Sequence, residues 1–215
     1  NVKNVDGNYI ITTEWYTDPF ADSLNLENID SDEIKNYINS YELKEVQLSE
    51  IQKKAIDYAF KYSGTLTDGE SAFNFNTNYK NFNSKGGDCA NFASQIMFES
   101  GMFKKNSIWN YIDGDGTKAW VNAQAFKNYA LNSGRASLIA KGTYQEVYKE
   151  AYALEPCDFV GYEKGGRITH VSTVTGYDSK GYPLVTCHNT DRMQVPWDLG
   201  WNDKKIKFHI IKLNK

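Results

Sequence analysis

Cys89 is the residue whose surroundings best suit a nucleophile. It lies in the segment GGDCANFASQ, residues 86–95, directly after two glycines that allow a tight backbone turn. Apolar residues then recur at helical spacing, which predicts a helix that begins at about Cys89. The sulfur would lie at the positive end of the helix dipole, where a thiolate is stabilised, with Asp88 as the helix cap. The backbone N–H of Cys89 would point to where an oxyanion forms, so we expect this cysteine to attack a carbonyl carbon.

His170 is the predicted general base. The chain has three histidines, and a cysteine nucleophile needs a partner that takes the proton of its thiol. His170 lies in the segment ITHVSTV, which has the composition of a β-strand and follows Cys89 in the chain. His209 lies in the terminal strand segment KFHIIKL and is predicted to be structural. The predicted pair is therefore a cysteine on a helix and a histidine on a later strand.

A third residue must orient the imidazole, and the sequence leaves its identity open. The chain after His170 returns through DSKG and ends in CHNTDR. A three-residue loop at residues 179–181 would place residue 170 opposite residue 190, with His188 diagonal on the same face. A four-residue loop would place residue 170 opposite Asn189. His188 and Asn189 are thus alternatives that differ by one residue of register, and Asp191 is a third candidate.

Two metal sites were weighed against these interpretations. Cys157, Cys187, His170 and His188 contain the right ligand types for zinc, but the paired spacing of a structural zinc site is absent. Cys157 and Cys187 are therefore predicted to be buried strand thiols. The segment DGDGT, residues 113–117, lacks the closing glutamate of a calcium loop and is predicted to be a turn. We expect neither a metal nor an organic cofactor.

The elements that would position these residues form an α+β arrangement, with N-terminal helices packed on a C-terminal antiparallel sheet. Capping boxes at Ser49 with Gln52 and at Thr143 with Glu146 mark two of the helix starts. Helices are predicted from Asp30, from Ser49, and at residues 89–100, 118–132 and 143–154. Strands are predicted at residues 8–16, 159–163, 169–177, 183–188 and 206–213.

Composition restricts the class of protein. The chain has 215 residues, 40% of them hydrophobic, and a net charge of −3 without a stripe of basic residues, so no nucleic-acid partner is expected. No apolar run approaches the roughly 20 residues of a membrane span.

Residues 1–45 are predicted to be an N-terminal extension, a strand plus a short helix, packed on a catalytic domain of residues 46–215 in a monomer. Because the sequence starts at Asn1, we expect a signal peptide to have been removed and the location to be extracellular or the cell envelope.

Four sequence blocks resemble one family. AIDYAFKY, GGDCANFASQIMFESG, CDFVGYEK, and THVSTVTGYD followed by CHNTDR lie between Ser49 and Trp197. They resemble the putative amidase domain family of secreted bacterial proteins, a branch of the papain-like cysteine peptidases and amidases. The resemblance implies a papain-like fold and cleavage of an amide bond, often in the cell envelope. It places the nucleophile on Cys89, the base on His170 and the third member on His188 or the residue beside it.

Two other functions are compatible with the sequence. A non-catalytic module on the same fold would bind a glycan or peptide through the aromatic residues between Phe73 and Phe82 and through Trp109 and Trp120. A transamidase would use the same acyl-enzyme with an amine in place of water. The resemblance makes peptidoglycan-like peptides the first expected substrate, and proteins the next. In an activated Cys–His pair the thiol should react with iodoacetamide well below the ordinary pKa of about 8.5.

Overall fold

A computed structural model describes residues 2–11, 31–42, 46–65, 74–189, 191–199 and 205–214. The helices are α1 (Ser31–Ser40), α2 (Glu50–Lys61), α3 (Cys89–Glu99), α4 (Lys118–Val121), α5 (Ala123–Asn132) and α6 (Tyr144–Ala151). The strands are β1 (Val2–Val5), β2 (Asn8–Ile11), β3 (Tyr111–Ile112), β4 (Asp115–Gly116), β5 (Ala136–Gly142), β6 (Phe159–Lys164), β7 (Arg167–Tyr177), β8 (Pro183–Cys187), β9 (Arg192–Pro196) and β10 (Lys207–Leu213). The predicted α+β class is confirmed.

Six strands form one antiparallel sheet in the order β5-β10-β6-β7-β8-β9. Apolar side chains on its two faces belong to two separate core clusters. The first cluster joins the sheet to α2, α3, α4 and α5, and the second joins it to α1 and α6. The sheet is therefore the central layer, and β7 contributes Val171 to the first cluster and Val174 to the second.

Helix α3 is buried from Cys89 to Met97, so each polar side chain on it requires a partner. Asn91 accepts the indole N–H of Trp120 at 2.9 Å, and Ser94 accepts that of Trp109 at 3.0 Å. Gln95 accepts the hydroxyl of Tyr58 at 2.9 Å. These bonds fix the helix, and with it Cys89, against its neighbours.

Both predicted capping boxes are present, Ser49 with Gln52 on α2 and Thr143 with Glu146 on α6. The inward face of α2 includes a polar residue next to an exposed apolar one. Ile51 is 43% exposed, whereas Gln52 is buried and donates to the carbonyl of Pro156 at 3.0 Å. The amide of Gln52 can both complete the cap and bind this loop, which a pattern of apolar residues does not reveal.

Three other elements differ from the sequence prediction. Strands β5 and β9, at the two edges of the sheet, were not predicted, and β5 separates α5 from α6. The predicted helix over residues 118–132 is divided at Asn122, whose side chain accepts the N–H of Ala125 at 3.0 Å and caps α5. Because Asn122 caps a new helix, α4 ends at Val121 and α5 begins at Ala123.

The segment DGDGT forms the predicted turn, since Asp113 and Gly114 have left-handed backbone angles between β3 and β4. Within the described part of the chain, none of the helices has both the length and the apolar character that crossing a membrane requires. Three predictions lie outside the described residues: the helix start at Asp30, the aromatic residue Phe73, and residues 12–16 of the first strand.

Candidate active site

Cys89 is the first residue of α3 and lines a groove with a volume of about 350 Å³. One wall of the groove is formed by Gly86 and Gly87. Residues 121–123, where α4 meets α5, and residues 167–169 at the start of β7 also line the groove. The thiol is thus buried by its neighbours while facing a space that a substrate can occupy.

Gly87 is required by its surroundings. Its φ is +122°, in the left-handed region that favours glycine, and a Cβ atom there would lie 2.1 Å from the amide nitrogen of Asn189. The backbone at Gly87 therefore lies so close to the side chain of Asn189 that only glycine fits there.

The Asp88 carboxylate accepts hydrogen bonds from three segments of the chain. Its Oδ1 accepts the backbone N–H of Phe82 at 2.8 Å and the side-chain amide of Asn91 at 2.9 Å. Its Oδ2 lies 2.6 Å from Nδ1 of His188. The predicted side-chain cap is absent, because the carboxylate is directed to these partners and only the backbone carbonyl of Asp88 joins the helix. Asp88 therefore clamps the start of α3 to the end of β8.

His188 completes the clamp. Its Nε2 lies 2.7 Å from the carbonyl oxygen of Tyr62, and its ring stacks on Phe92 with centroids 3.8 Å apart and planes 5° apart. Each ring nitrogen faces an oxygen that only accepts, so both bonds form together when the ring carries a hydrogen on each nitrogen. Asp88 and His188 thus form a buried, hydrogen-bonded pair at the start of α3.

His170 lies on β7, immediately before Val171. The backbone N–H of Val171 acts on the thiol of Cys89 and lowers its pKa. The His170 ring packs on Tyr162, with centroids 5.2 Å apart, and burial lowers the pKa of the imidazole to about 3, assisted by the charge of Arg192. The structure therefore brings β7 at residues 170–171 to the start of α3.

The three candidates for orienting His170 have other partners. Both ring nitrogens of His188 are used by Asp88 and Tyr62. Asn189 accepts the backbone N–H of Asp88 at 2.6 Å. Asp191 lies in the electrostatic field of His188 and Asp88, and burial raises the pKa of its carboxyl. All three surround Asp88, a residue that the sequence indicated only as a helix cap.

A β-bulge explains why hairpin register did not decide between His188 and Asn189. Near the turn, Tyr177 pairs with Pro183, which corresponds to the three-residue-loop register. A bulge at Thr175 then shifts the pairing, so that Thr173 pairs with Thr186, which corresponds to the other register. Strand β8 ends at Cys187, so residues 188 and 189 leave the sheet and reach Asp88.

Burial dominates the electrostatics of Cys89. It raises the pKa of the thiol to about 11, and the charge of Asp88 acts in the same direction. The backbone N–H groups of Val171 and Ala90 oppose this rise in the pKa of the thiol. The thiol therefore keeps its proton at neutral pH, in contrast to the expected low-pKa thiolate, although the donors that stabilise a thiolate are in place.

The remaining candidates have structural positions. Cys157 and Cys187 are buried, as predicted, but Cys157 lies in the turn before β6 and not in a strand. His209 bonds Glu163 at 2.9 Å. Across the described ranges, no three metal-ligating side chains come together, so the four residues weighed for zinc do not form a cluster. Trp109 and Trp120 are 0% exposed and pack on each other, which removes them from any glycan-binding surface.

The comparison with protein families agrees with the sequence blocks. The model of a family described as "Putative amidase domain" matches residues 49–211. The chain belongs to this amidase family. That match includes α2, the groove, Cys89, His170 and the Asp88 clamp, so the family's domain contains the whole candidate site.

One curated relative of this amidase-family chain is the uncharacterized protein YjcM of Bacillus subtilis (strain 168). The two are 32% identical over 146 residues, which are 66% of this chain and 31% of YjcM. The chain thus spans about a third of the length of that relative. No solved structure matches the chain significantly.

The clamp predicts energetic coupling between Asp88 and His188. Asp88→Asn and His188→Gln should each lower the free energy of unfolding by about 2–4 kcal/mol, because each leaves the other partner buried and unmatched. The decrease in the free energy of unfolding of the double variant should be smaller than the sum of the two single decreases by at least about 1 kcal/mol. Urea unfolding of the four proteins measures this difference.

The matched control is the exposed ion pair between Glu33 and Lys149, whose nitrogen and oxygen are 2.9 Å apart. Glu33→Gln and Lys149→Gln should show little or no coupling, since solvent screens both charges. Additive costs for Asp88→Asn and His188→Gln would contradict the clamp.

The raised pKa of Cys89 predicts how its alkylation depends on pH. Because the thiolate is the reactive form, the rate of iodoacetamide modification at Cys89 in the substrate-free protein should increase up to about pH 11. Peptide mapping by mass spectrometry isolates this cysteine from the other two. The same protein in urea provides the control, with a thiol that titrates near about 8.5. A rate at Cys89 that is constant above pH 8 would contradict this electrostatic account.

Proposed function

We propose that the chain cleaves an amide bond through a thioester formed on Cys89. The observation that carries the proposal is the position of Cys89 at the start of α3, where it lines the groove and where the backbone N–H groups of Val171 and Ala90 lower the pKa of its thiol. Membership of the amidase family supports the reaction class. Cysteine dependence is our own inference from the site.

His170 is the proposed general base. Its neighbour in the chain, Val171, belongs to the same core cluster as Cys89, so β7 reaches the start of α3 at this point. The proposal requires the His170 imidazole to reach the sulfur when the substrate binds. In the resting state both groups are neutral at pH 7, because burial raises the pKa of Cys89 to about 11 and lowers that of His170 to about 3. We therefore infer that proton transfer accompanies the attack on the substrate and does not precede it.

The proposed reaction has two steps. His170 accepts the thiol proton as the sulfur of Cys89 bonds to the amide carbonyl carbon, and the amine leaves with that proton. Water then attacks the thioester, releases the acid and returns the proton to the sulfur. Backbone N–H groups at the start of α3 are available to stabilise the oxyanion of each tetrahedral intermediate. An amine in place of water would give transamidation from the same thioester.

Asp88, His188 and Asn189 have a positioning role in this proposal. The sequence suggested His188 or Asn189 as the residue that orients His170. The bonds that the structure gives these two residues hold the backbone on which Cys89 lies. The proposed site is thus a Cys–His pair supported by a separate clamp.

The proposed substrate is a peptide amide of the cell-wall type, and the proposed location is the cell envelope or the extracellular space. Both rest on the family resemblance of the sequence blocks. The alternative of a non-catalytic glycan-binding module has less support, because Tyr79 stacks on the buried Trp120 and Phe82 is itself buried. The aromatic residues between 74 and 82 therefore pack on the core.

Digestion of purified cell wall tests the proposal. Wild-type protein should release fragments that have a new carboxyl group at one specific amide, and Cys89→Ala and Cys89→Ser should release none, since neither provides a thiol. Mass spectrometry of the fragments identifies the amide. Cys157→Ser, which also removes a buried thiol, is the control and should retain activity.

His170→Gln should reduce the cleavage rate at least about 100-fold, because general-base catalysis contributes roughly 10²–10⁴-fold. Circular dichroism and the urea midpoint would establish that each variant is folded. Full activity in Cys89→Ala would exclude Cys89 as the nucleophile.

A further inference from the structure

The groove beside Cys89 has a cationic edge. Lys164 and Arg167 both line it, both are exposed, and no carboxylate is among the described residues that line it. The chain as a whole has a net charge of −3. A cationic groove on an acidic protein gives the approach to Cys89 a local charge opposite to that of the molecule.

Nearby carboxylates do not neutralise these cations. Glu163 is adjacent in the chain, but its Oε2 lies 2.7 Å from the ammonium of Lys141 and 2.9 Å from Nε2 of His209. Among the residues that the structure describes, Lys164 and Arg167 take part in none of the ion pairs. Their charges therefore remain available to a ligand.

Lys164 and Arg167 are also direct cross-strand partners in the β6–β7 hairpin. Like charges directly opposite each other destabilise a hairpin. Gly165 and Gly166, with φ of +60° and +79°, form the two-residue turn that fixes this register. An anion between the two side chains would relieve the repulsion, which is a second observation that favours an anionic ligand.

The hairpin is held against the wall of the groove. The backbone N–H of Ile168 donates to the side-chain carbonyl of Gln124 on α5 at 2.8 Å. Its apolar side chain is 5% exposed and belongs to the same core cluster as Cys89. The two cations are therefore kept at a fixed edge of the groove that contains the thiol.

We infer that Lys164 and Arg167 select a substrate with a carboxylate beside the scissile amide, such as a peptide with an acidic residue or a free carboxyl terminus next to that bond. This inference rests on the proposed function, because it assigns the charge of the substrate that Cys89 attacks. The two residues bind and orient the substrate through charge and take no part in proton transfer.

A pair of thiol reagents tests the inference without knowledge of the natural substrate. Iodoacetate and iodoacetamide both transfer a two-carbon group to sulfur with loss of iodide, but only iodoacetate is anionic. The ratio of their rates at Cys89, from peptide mapping, reports the local potential. Any change in the pKa of the thiol affects both reagents and cancels in this ratio.

Lys164→Glu should lower the iodoacetate-to-iodoacetamide ratio about threefold to fivefold at low ionic strength, because two charge units change close to the thiol. The effect should largely disappear in 1 M salt. Lys164→Glu also places a carboxylate opposite Arg167, so the urea midpoint should stay the same or increase. A lower iodoacetate-to-iodoacetamide ratio with an unchanged or higher urea midpoint distinguishes charge selection from a structural role.

Lys35→Glu is the matched control. It makes the same change in net charge on α1, which packs against the opposite face of the sheet, and it should leave the ratio unchanged. Equal ratios in wild type, Lys164→Glu and Lys35→Glu would overturn the inference. Failure of both reagents to reach Cys89 would also overturn it, because the groove would then be closed to a charged ligand.

Matched peptide substrates separate this inference from the proposed function. A peptide with glutamate beside the scissile amide should be cleaved faster than its glutamine counterpart by wild type, and the preference should be lost in Lys164→Glu. Cleavage that requires Cys89 but shows no such preference would refute the charge selection and leave the cysteine mechanism intact. A charge-dependent reagent ratio together with cleavage that survives Cys89→Ala would refute the cysteine mechanism alone.

Discussion

The carboxylate of Asp88 is buried where three segments of the chain meet, and a buried charge is stable only when donors match its oxygens. Phe82 and Asn91 provide two of those donors, and His188 provides the third. The arrangement depends on glycine at position 87, since a side chain there would collide with Asn189. The geometry around the thiol thus follows from the requirement to satisfy one charge.

Because of this constraint, the residues that fix the backbone differ from the residue that carries the thiol. The clamp at Asp88 uses His188 and Asn189 to fix the backbone on which Cys89 lies. Burial keeps the thiol of Cys89 protonated, and the helix dipole and backbone donors do not overcome that effect. A resting site of this kind limits reaction with small electrophiles until a substrate occupies the groove.

Several features of the fold and site could be predicted because their causes are local. Capping boxes at Ser49 and Thr143 depend on residues three positions apart, and the helix after Gly87 depends on a short amphipathic pattern. The role of Asp88 could not be predicted, because its partner His188 lies 100 positions away in the chain. A bulge at Thr175 likewise altered the hairpin register on which the third site residue had been argued. The acidic residue directly before the cysteine is the one sequence signal of the clamp, and its position alone predicts a helix cap.

The central claim is that an acyl group is carried on the sulfur of Cys89, and hydroxylamine trapping tests it most directly. Hydroxylamine intercepts a thioester, so fragments released from cell wall by the wild-type protein in its presence should carry a hydroxamate at the cleaved amide. The hydroxamate fraction should rise with hydroxylamine concentration. Specific cleavage that yields only the free carboxylate at every hydroxylamine concentration would contradict the account.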